Sequence, residues 1–198
     1  MKILVVGATG TIGRAVADAL AVRHEVIRAS RNGEARVDIE DAASVAALFA
    51  KVDKLDALVV CAASPAAAFG PLDQLRDEQL ELVTRLLMAQ VRLVRMVLAH
   101  VRDRGSITLT TGALATRPMP GTSLLTMAGA GLEGFVRAAA LEMPRGLRVN
   151  SVSPGWVKET MEQRGMDSTA GMPATTLAAH YVSAVEGTMN GTIIDPTA

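Results

Sequence analysis

Residues 3–6, Ile-Leu-Val-Val, form a short unbroken apolar run rich in β-branched side chains. Gly7-Ala8-Thr9-Gly10-Thr11-Ile12-Gly13 follows at once, and from Thr11 to Val22 apolar residues (Ile12, Ala15, Val16, Ala19, Leu20) recur at helical spacing. A buried strand, a glycine-rich turn and an amphipathic helix in direct succession constrain the fold more than any other stretch of the chain. Gly7 permits a sharp exit from the strand. Gly10 lets the backbone approach an anion with no Cβ in the way, and Gly13 lets the helix pack close to the strand. The helix amides then face that anion, which fits a dinucleotide pyrophosphate.

The rest of the chain repeats this alternation. Val26-Ile27 begins a strand ending near Ser30, residues 35–39 are a candidate third strand, and 41–52 read as a helix with Val45, Leu48, Phe49 and Val52 on one face. Residues 56–63 are a further buried strand, followed by a long helix over about 73–101 and a strand at 106–110. A Gly/Pro-rich loop precedes a small-residue helix at about 122–143, then come a strand at 147–152, a helix near 173–186 and a last short strand at 191–195. Strands alternating with helices predict a single-domain α/β fold of Rossmann type over residues 1–198, a doubly wound parallel sheet with helices on both faces. One spacing is irregular: only Arg31 to Glu34 separate the second and third strands, where parallel neighbours need a crossover of about a dozen residues. The third strand is therefore very short, differently oriented, or no strand.

Composition narrows the function classes. Formal net charge is zero and hydrophobic residues make up 49% of the 198 residues. Nothing there points to nucleic acid or a membrane surface. The single cysteine, Cys61, excludes an internal disulfide and a Cys-rich metal site, and no histidine pair has metal-ligand spacing. No run approaches the ~18–20 apolar residues of a membrane span and the N-terminus has no secretory stretch, so a cytoplasmic protein is expected.

The end of the second strand bears on cofactor choice. An acidic residue there accepts bonds from the ribose 2′-hydroxyl of NAD. This chain has Ser30-Arg31 instead, with Arg14 just after Gly13. A guanidinium suits a 2′-phosphate through forked, charge-assisted bonds, so NADP(H) is expected over NAD(H).

Taken in order, these residues resemble the short-chain dehydrogenase/reductase family over essentially the whole chain. Gly7 to Gly13 resembles the family's glycine motif, with spacing nearer its extended and atypical branches. Asp38-Ile39 matches the pair that contacts adenine in the family, and Cys61-Ala62-Ala63 stands where its N-A-G follows the fourth strand. Ile107 to Gly112 resembles the strand that ends in the catalytic serine, with Thr111 at that position. Arg148 to Gly155 resembles the segment beside the nicotinamide. The resemblance implies cofactor contacts at Gly7, Thr9, Gly10, Thr11, Ile12, Gly13, Ser30, Arg31, Asp38, Ile39, Cys61, Ala62, Ala63, Pro154, Gly155 and Val157, and a catalytic role for Thr111.

The departures are as informative. The family's tyrosine should fall near Leu124 or Leu125, and its lysine near Ala128 or Gly129; neither is there. The one tyrosine is Tyr181, the lysines are Lys2, Lys51, Lys54 and Lys158, and the helix asparagine appears as Thr84. Substitutes near the nicotinamide would come from Thr111, Ser123, Thr126, Lys158 and Glu159, while Trp156 either lines a pocket or caps the core. His24 reads as exposed, His100 as the end of the long helix, and His180 and Tyr181 as surface or interface residues first. Three readings follow: an NADP(H)-dependent oxidoreductase of a small carbonyl or alcohol with a non-standard site; a non-redox cyclase, lyase or dehydratase; or a catalytically inactive NADP(H)-binding sensor or partner protein. The apolar girth of helix 73–101 (Leu82, Leu86, Leu93 and Met96 beside Leu87, Val91, Val94 and Leu98), with the Ala/Gly-rich helix 122–143, predicts a homodimer, or as the alternative a tetramer, through these two helices.

Overall fold

The computed structural model describes residues 1–52, 54–61 and 68–197. Among them, seven strands form one parallel sheet in the order β3-β2-β1-β4-β5-β6-β7. The strands are β1 (Lys2–Val6), β2 (Glu25–Ser30), β3 (Ala35–Arg36), β4 (Leu55–Val60), β5 (Val101–Thr110), β6 (Arg148–Val152) and β7 (Ile193–Ile194). The helices are α1 (Thr11–Ala21), α2 (Ala42–Lys51), α3 (Asp77–Val97), α4 (Ser123–Ala139), α5 (Lys158–Gln163) and α6 (Ala174–Glu186).

The central strands are apolar without a break because both faces of the sheet are covered. Alternate residues of β1 feed opposite cores. Leu4 and Val6 pack under α2, α3 and α4 with Phe49, Leu93 and Val136. Ile3 and Val5 pack under α1 and α6 with Leu20, Leu177 and Tyr181. Each fully buried Leu or Ile contributes about 1.5–3 kcal/mol. The chain leaves β1 for β2 on one side and returns to β4 on the other, which opens a crevice at the carboxyl ends of β1 and β4.

Local differences from the sequence reading have identifiable causes. β3 is two residues long and parallel to β2, pairing Ala29 with Ala35 and Ser30 with Arg36. So short a pairing lets residues 31–34 make the connection without a crossover helix. The long helix stops at Val97, and β5 starts at Val101 rather than 106. The pairing jumps from Leu55–Val101 to Ala57–Ser106, so residues 102–105 bulge out, with Arg104 at φ 63°. His100 therefore does not end a helix; its ring stacks on Phe49 at 4.7 Å between centroids. The helix expected to reach 143 ends at Ala139, ahead of a 3₁₀ turn opened by Pro144. The short helix α5 lies between β6 and α6, where the sequence pattern predicts no element. Among the described residues, no helix is long and apolar enough to cross a membrane.

Candidate functional site

The turn after β1 is held rigidly. Gly7 adopts φ 81°, and the N–H groups of Gly7 and Ala8 both donate to Ala29 O on β2, at 2.9 and 3.1 Å. A Cβ on Gly13 would lie 2.1 Å from Gly7 O, so this position has no room for any side chain. Helix α1 starts from Gly10, which offers no side-chain cap to the first-turn amides. These donors and the glycine cradle fit a pyrophosphate. Arg14 Nη2 folds back on the turn and donates to Thr9 O (3.2 Å), and Gln163 of α5 donates to Thr11 Oγ1 (3.2 Å).

At the end of β2, Arg31 is exposed and makes no ion pair or hydrogen bond among the described residues. Ser30 is turned in: its Oγ is buried without a partner, 2.6 Å from where a Cβ on Gly33 would sit. Asp38 is half-buried, with Oδ1 accepting from Glu40 N and its own N–H donating to Ser44 Oγ, both at 3.0 Å. Ile39 belongs to the core under α2.

The glycine turn opens into a cavity of about 990 Å³ across the carboxyl ends of the central strands. Gly10, Thr11, Ile12, Cys61, Thr111, Pro154, Gly155 and Val157 line it, as does Trp156. Gly7, Thr9, Gly13, Ser30, Arg31, Asp38 and Ile39 are not among the residues that line it. Ala62 and Ala63 lie outside the described residues. Arg117 and Thr197 also line the cavity; Arg117 Nη2 donates to Asp195 Oδ2 (2.8 Å) and Thr197 Oγ1 (2.6 Å), fastening the C-terminal segment beside it.

Thr111 sits in a polar network that sequence reasoning missed. Glu133 of α4 is 2% exposed, and its Oε1 accepts from Ser153 Oγ (3.0 Å) and Thr111 Oγ1 (3.2 Å). Its Oε2 lies 3.4 Å from Arg137 Nη2, one turn on. Ser151 Oγ is 3.0 Å from Thr111 Oγ1. A threonine hydroxyl has one proton. With that proton given to Glu133, Thr111 offers lone pairs to other groups rather than a donor. The signal for Glu133 was present: it lies four residues after Gly129 and three before Val136, so it borders the buried face of α4.

The positions of the missing pair are apolar. Leu125, Ala128 and Gly129 line the cavity, while Leu124 is buried in a small core with Val83. A Cβ on Gly129 would meet Ala115 Cβ at 3.2 Å, so a side chain there would need the neighbouring 3₁₀ turn to give by a few tenths of an ångström. Tyr181 is not a surface residue: it is fully buried, with its hydroxyl 2.8 Å from Thr110 Oγ1. Burial pushes its phenol well above the ordinary tyrosine range, and the neighbouring Cys61 adds to this.

The other candidates disperse. Ser123 and Lys158 are exposed, and Thr126 donates to Leu114 O (2.9 Å). Glu159 accepts from Ala174 N with both oxygens, capping α6. Thr84 is exposed on α3. His24 is largely covered rather than exposed, with Nε2 2.8 Å from Glu186 Oε1, because α6 packs beside α1. Among the described residues, no group of three His, Cys, Asp or Glu side chains forms a metal site.

A family profile described as Enoyl-(Acyl carrier protein) reductase matches residues 7–185. The chain is similar to the short-chain dehydrogenase/reductase malC of Malbranchea aurantiaca, 39% identical over 90 residues. That match covers 44% of this chain and 34% of malC, so it spans about a third of the relative's own length. Among solved structures, the protein lin1944 from Listeria innocua superposes with a TM-score of 0.92 at 34% identity, covering 99% of both chains. A small-chain dehydrogenase in complex with NADPH superposes with a TM-score of 0.86 at 27% identity, covering 98% of this chain and 95% of that one.

Proposed function

The chain belongs to the short-chain dehydrogenase/reductase family, and on that premise we propose that it is an NADP(H)-dependent oxidoreductase of a small carbonyl or alcohol substrate. The observation that carries this reading is the rigid Gly7–Gly13 turn opening straight into the cavity at the β1–β4 crevice. The solved relative that holds NADPH supports the same cofactor here. Bound there, the cofactor would supply or accept a hydride.

The chain's own residues divide the work. The first-turn amides of α1 receive the pyrophosphate. Arg31, exposed and uncommitted, takes the 2′-phosphate. Pro154, Gly155 and Val157 wall the nicotinamide end. Thr111, its proton engaged by Glu133, orients a substrate hydroxyl by accepting from it. A protein general acid is absent from the positions where the family places one, and that is worth about 10²–10⁴ in rate. The substrate is therefore activated, or takes its proton from water.

One observation favours a second reading, a protein that binds NADPH without turning it over. Leu125 and Gly129 replace the proton relay, and Tyr181 is sealed on the other face of the sheet. Following NADPH absorbance against a panel of aldehydes, ketones and enones separates the two. Consumption of NADPH with a carbonyl supports the oxidoreductase. Saturable NADPH binding with no consumption across the panel refutes it in favour of the binding protein.

A two-fold dimer through α3 and α4 belongs to this proposal. Leu80 and Met88 on α3 and Met127 on α4 are exposed apolar residues on those helices. Both apolar stripes of α3 are partly used within the chain itself: Leu86 and Leu87 line the cavity, and Leu93 and Val94 enter the core.

A further inference from the structure

Gln90 lies on the stripe of α3 that carries Val83 and Leu87, and it lines the same cavity. Its Oε1 is buried without a hydrogen-bond partner. Among the described residues its side-chain amide makes no hydrogen bond. Native structures leave few buried polar atoms unpaired, and each that remains calls for an explanation. The other residues that α3 and α4 give to the cavity are all apolar: Val83, Leu86 and Leu87 on α3, and Leu125, Ala128, Gly129 and Leu132 on α4. Gly129 also stands where the family's lysine would extend, so this part of the cavity is free of that side chain.

We propose that Gln90 is the recognition group of a substrate subsite between α3 and α4. The subsite takes an uncharged, largely apolar molecule carrying one carbonyl or hydroxyl group. This rests on the reading of the cavity as the cofactor-dependent site. The last torsion of a glutamine side chain is soft, so a small rotation turns either end of the amide toward the cavity. Nε2 then donates to a carbonyl oxygen, and Oε1 accepts from a hydroxyl. One neutral amide thus serves both members of a carbonyl–alcohol pair. A charged ligand group would be stranded among leucines, because burying an unpaired charge is far costlier than burying a paired dipole.

Acetophenone, 1-phenylethanol and ethylbenzene have nearly the same shape and differ only in the polar group. Their binding to the full chain is measured by calorimetry, with and without saturating NADPH. The two oxygenated probes should bind about tenfold more tightly than ethylbenzene, the scale of one buried hydrogen bond. Gln90→Leu and Gln90→Met should abolish that preference while leaving ethylbenzene binding intact. Equal binding of all three probes to the wild type, no binding of any, or a preference that survives both substitutions would overturn the proposal. Loss of NADPH binding alone would count against the proposed function, while the probe series without cofactor would still decide the subsite.

Discussion

Replacing Tyr181, the one tyrosine in the chain, with phenylalanine separates structure from catalysis at a residue type the family's chemistry uses. The Tyr181 ring is fully buried between α6 and the sheet. Thr110 Oγ1 lies 2.7 Å from Val60 O, which can only accept, so the threonine's single proton goes there. Tyr181 must therefore donate to Thr110 across 2.8 Å. Phenylalanine keeps the ring's burial and removes only that donor. The expected loss is the net value of one buried hydrogen bond, about 0.5–1.5 kcal/mol. For a chain of this size that lowers Tm by about 1–6 °C, at roughly 2–4 °C per kcal/mol. Calorimetric melts and NADPH titration on the same sample check both halves. Cofactor affinity and any turnover should be unchanged. A variant with wild-type Tm but lost turnover would refute the reasoning, because it would put the phenol in the chemistry.

Gly13→Ala places a Cβ 2.1 Å from Gly7 O and 2.7 Å from Gly7 C, so the turn must open; overpacking of this kind costs about 1–3 kcal/mol, and Tm and NADPH affinity should fall together. Burial alone would raise the pKa of Asp56, but hydrogen bonds from Lys2 N (2.6 Å) and Arg102 Nη1 (3.0 Å), with the Arg102 charge, outweigh it and hold the carboxyl below its ordinary 3.8. Its folded pKa being the lower one, the stabilisation is complete above 3.8 and is lost as pH falls through the folded value. Asp56→Asn should accordingly flatten the acid limb of a plot of Tm against pH. The Cys61 thiol is pushed up to about 12 by burial. Disulfide reagents at mildly alkaline pH should therefore label it slowly in the native protein and rapidly in denaturant, as thiolate is the reactive form.

How much was legible in the sequence follows from what each feature depends on. β1, β4 and β6 were readable because parallel strands covered on both faces become unbroken apolar runs. The glycine turn was readable because its demands are local. The start of β5 was hidden by Arg102, Asp103 and Arg104, charged residues in a bulge that only pairing with β4 defines. β3 and α5 are too short to carry a period. His24, His100 and Tyr181 were misplaced because their surroundings come from elements distant in the chain, α6 on α1 and α2 beside His100. Glu133 and Gln90 each interrupt an apolar stripe with one polar residue. Composition treats that as noise, and only the assembled cavity and its hydrogen bonds give it meaning.

We propose that this chain holds NADP(H) on the Gly7–Gly13 turn and selects it through Arg31. Titrating NADPH and NADH separately into wild type and Arg31→Ala tests it most directly. A charge-assisted bond of about 1.5–3 kcal/mol corresponds to roughly 10–100-fold in affinity. Wild type should prefer NADPH by that factor, and Arg31→Ala should bring NADPH down to the level of NADH while leaving NADH unchanged. Equal affinities in the wild type, or no binding of either cofactor, would contradict the account.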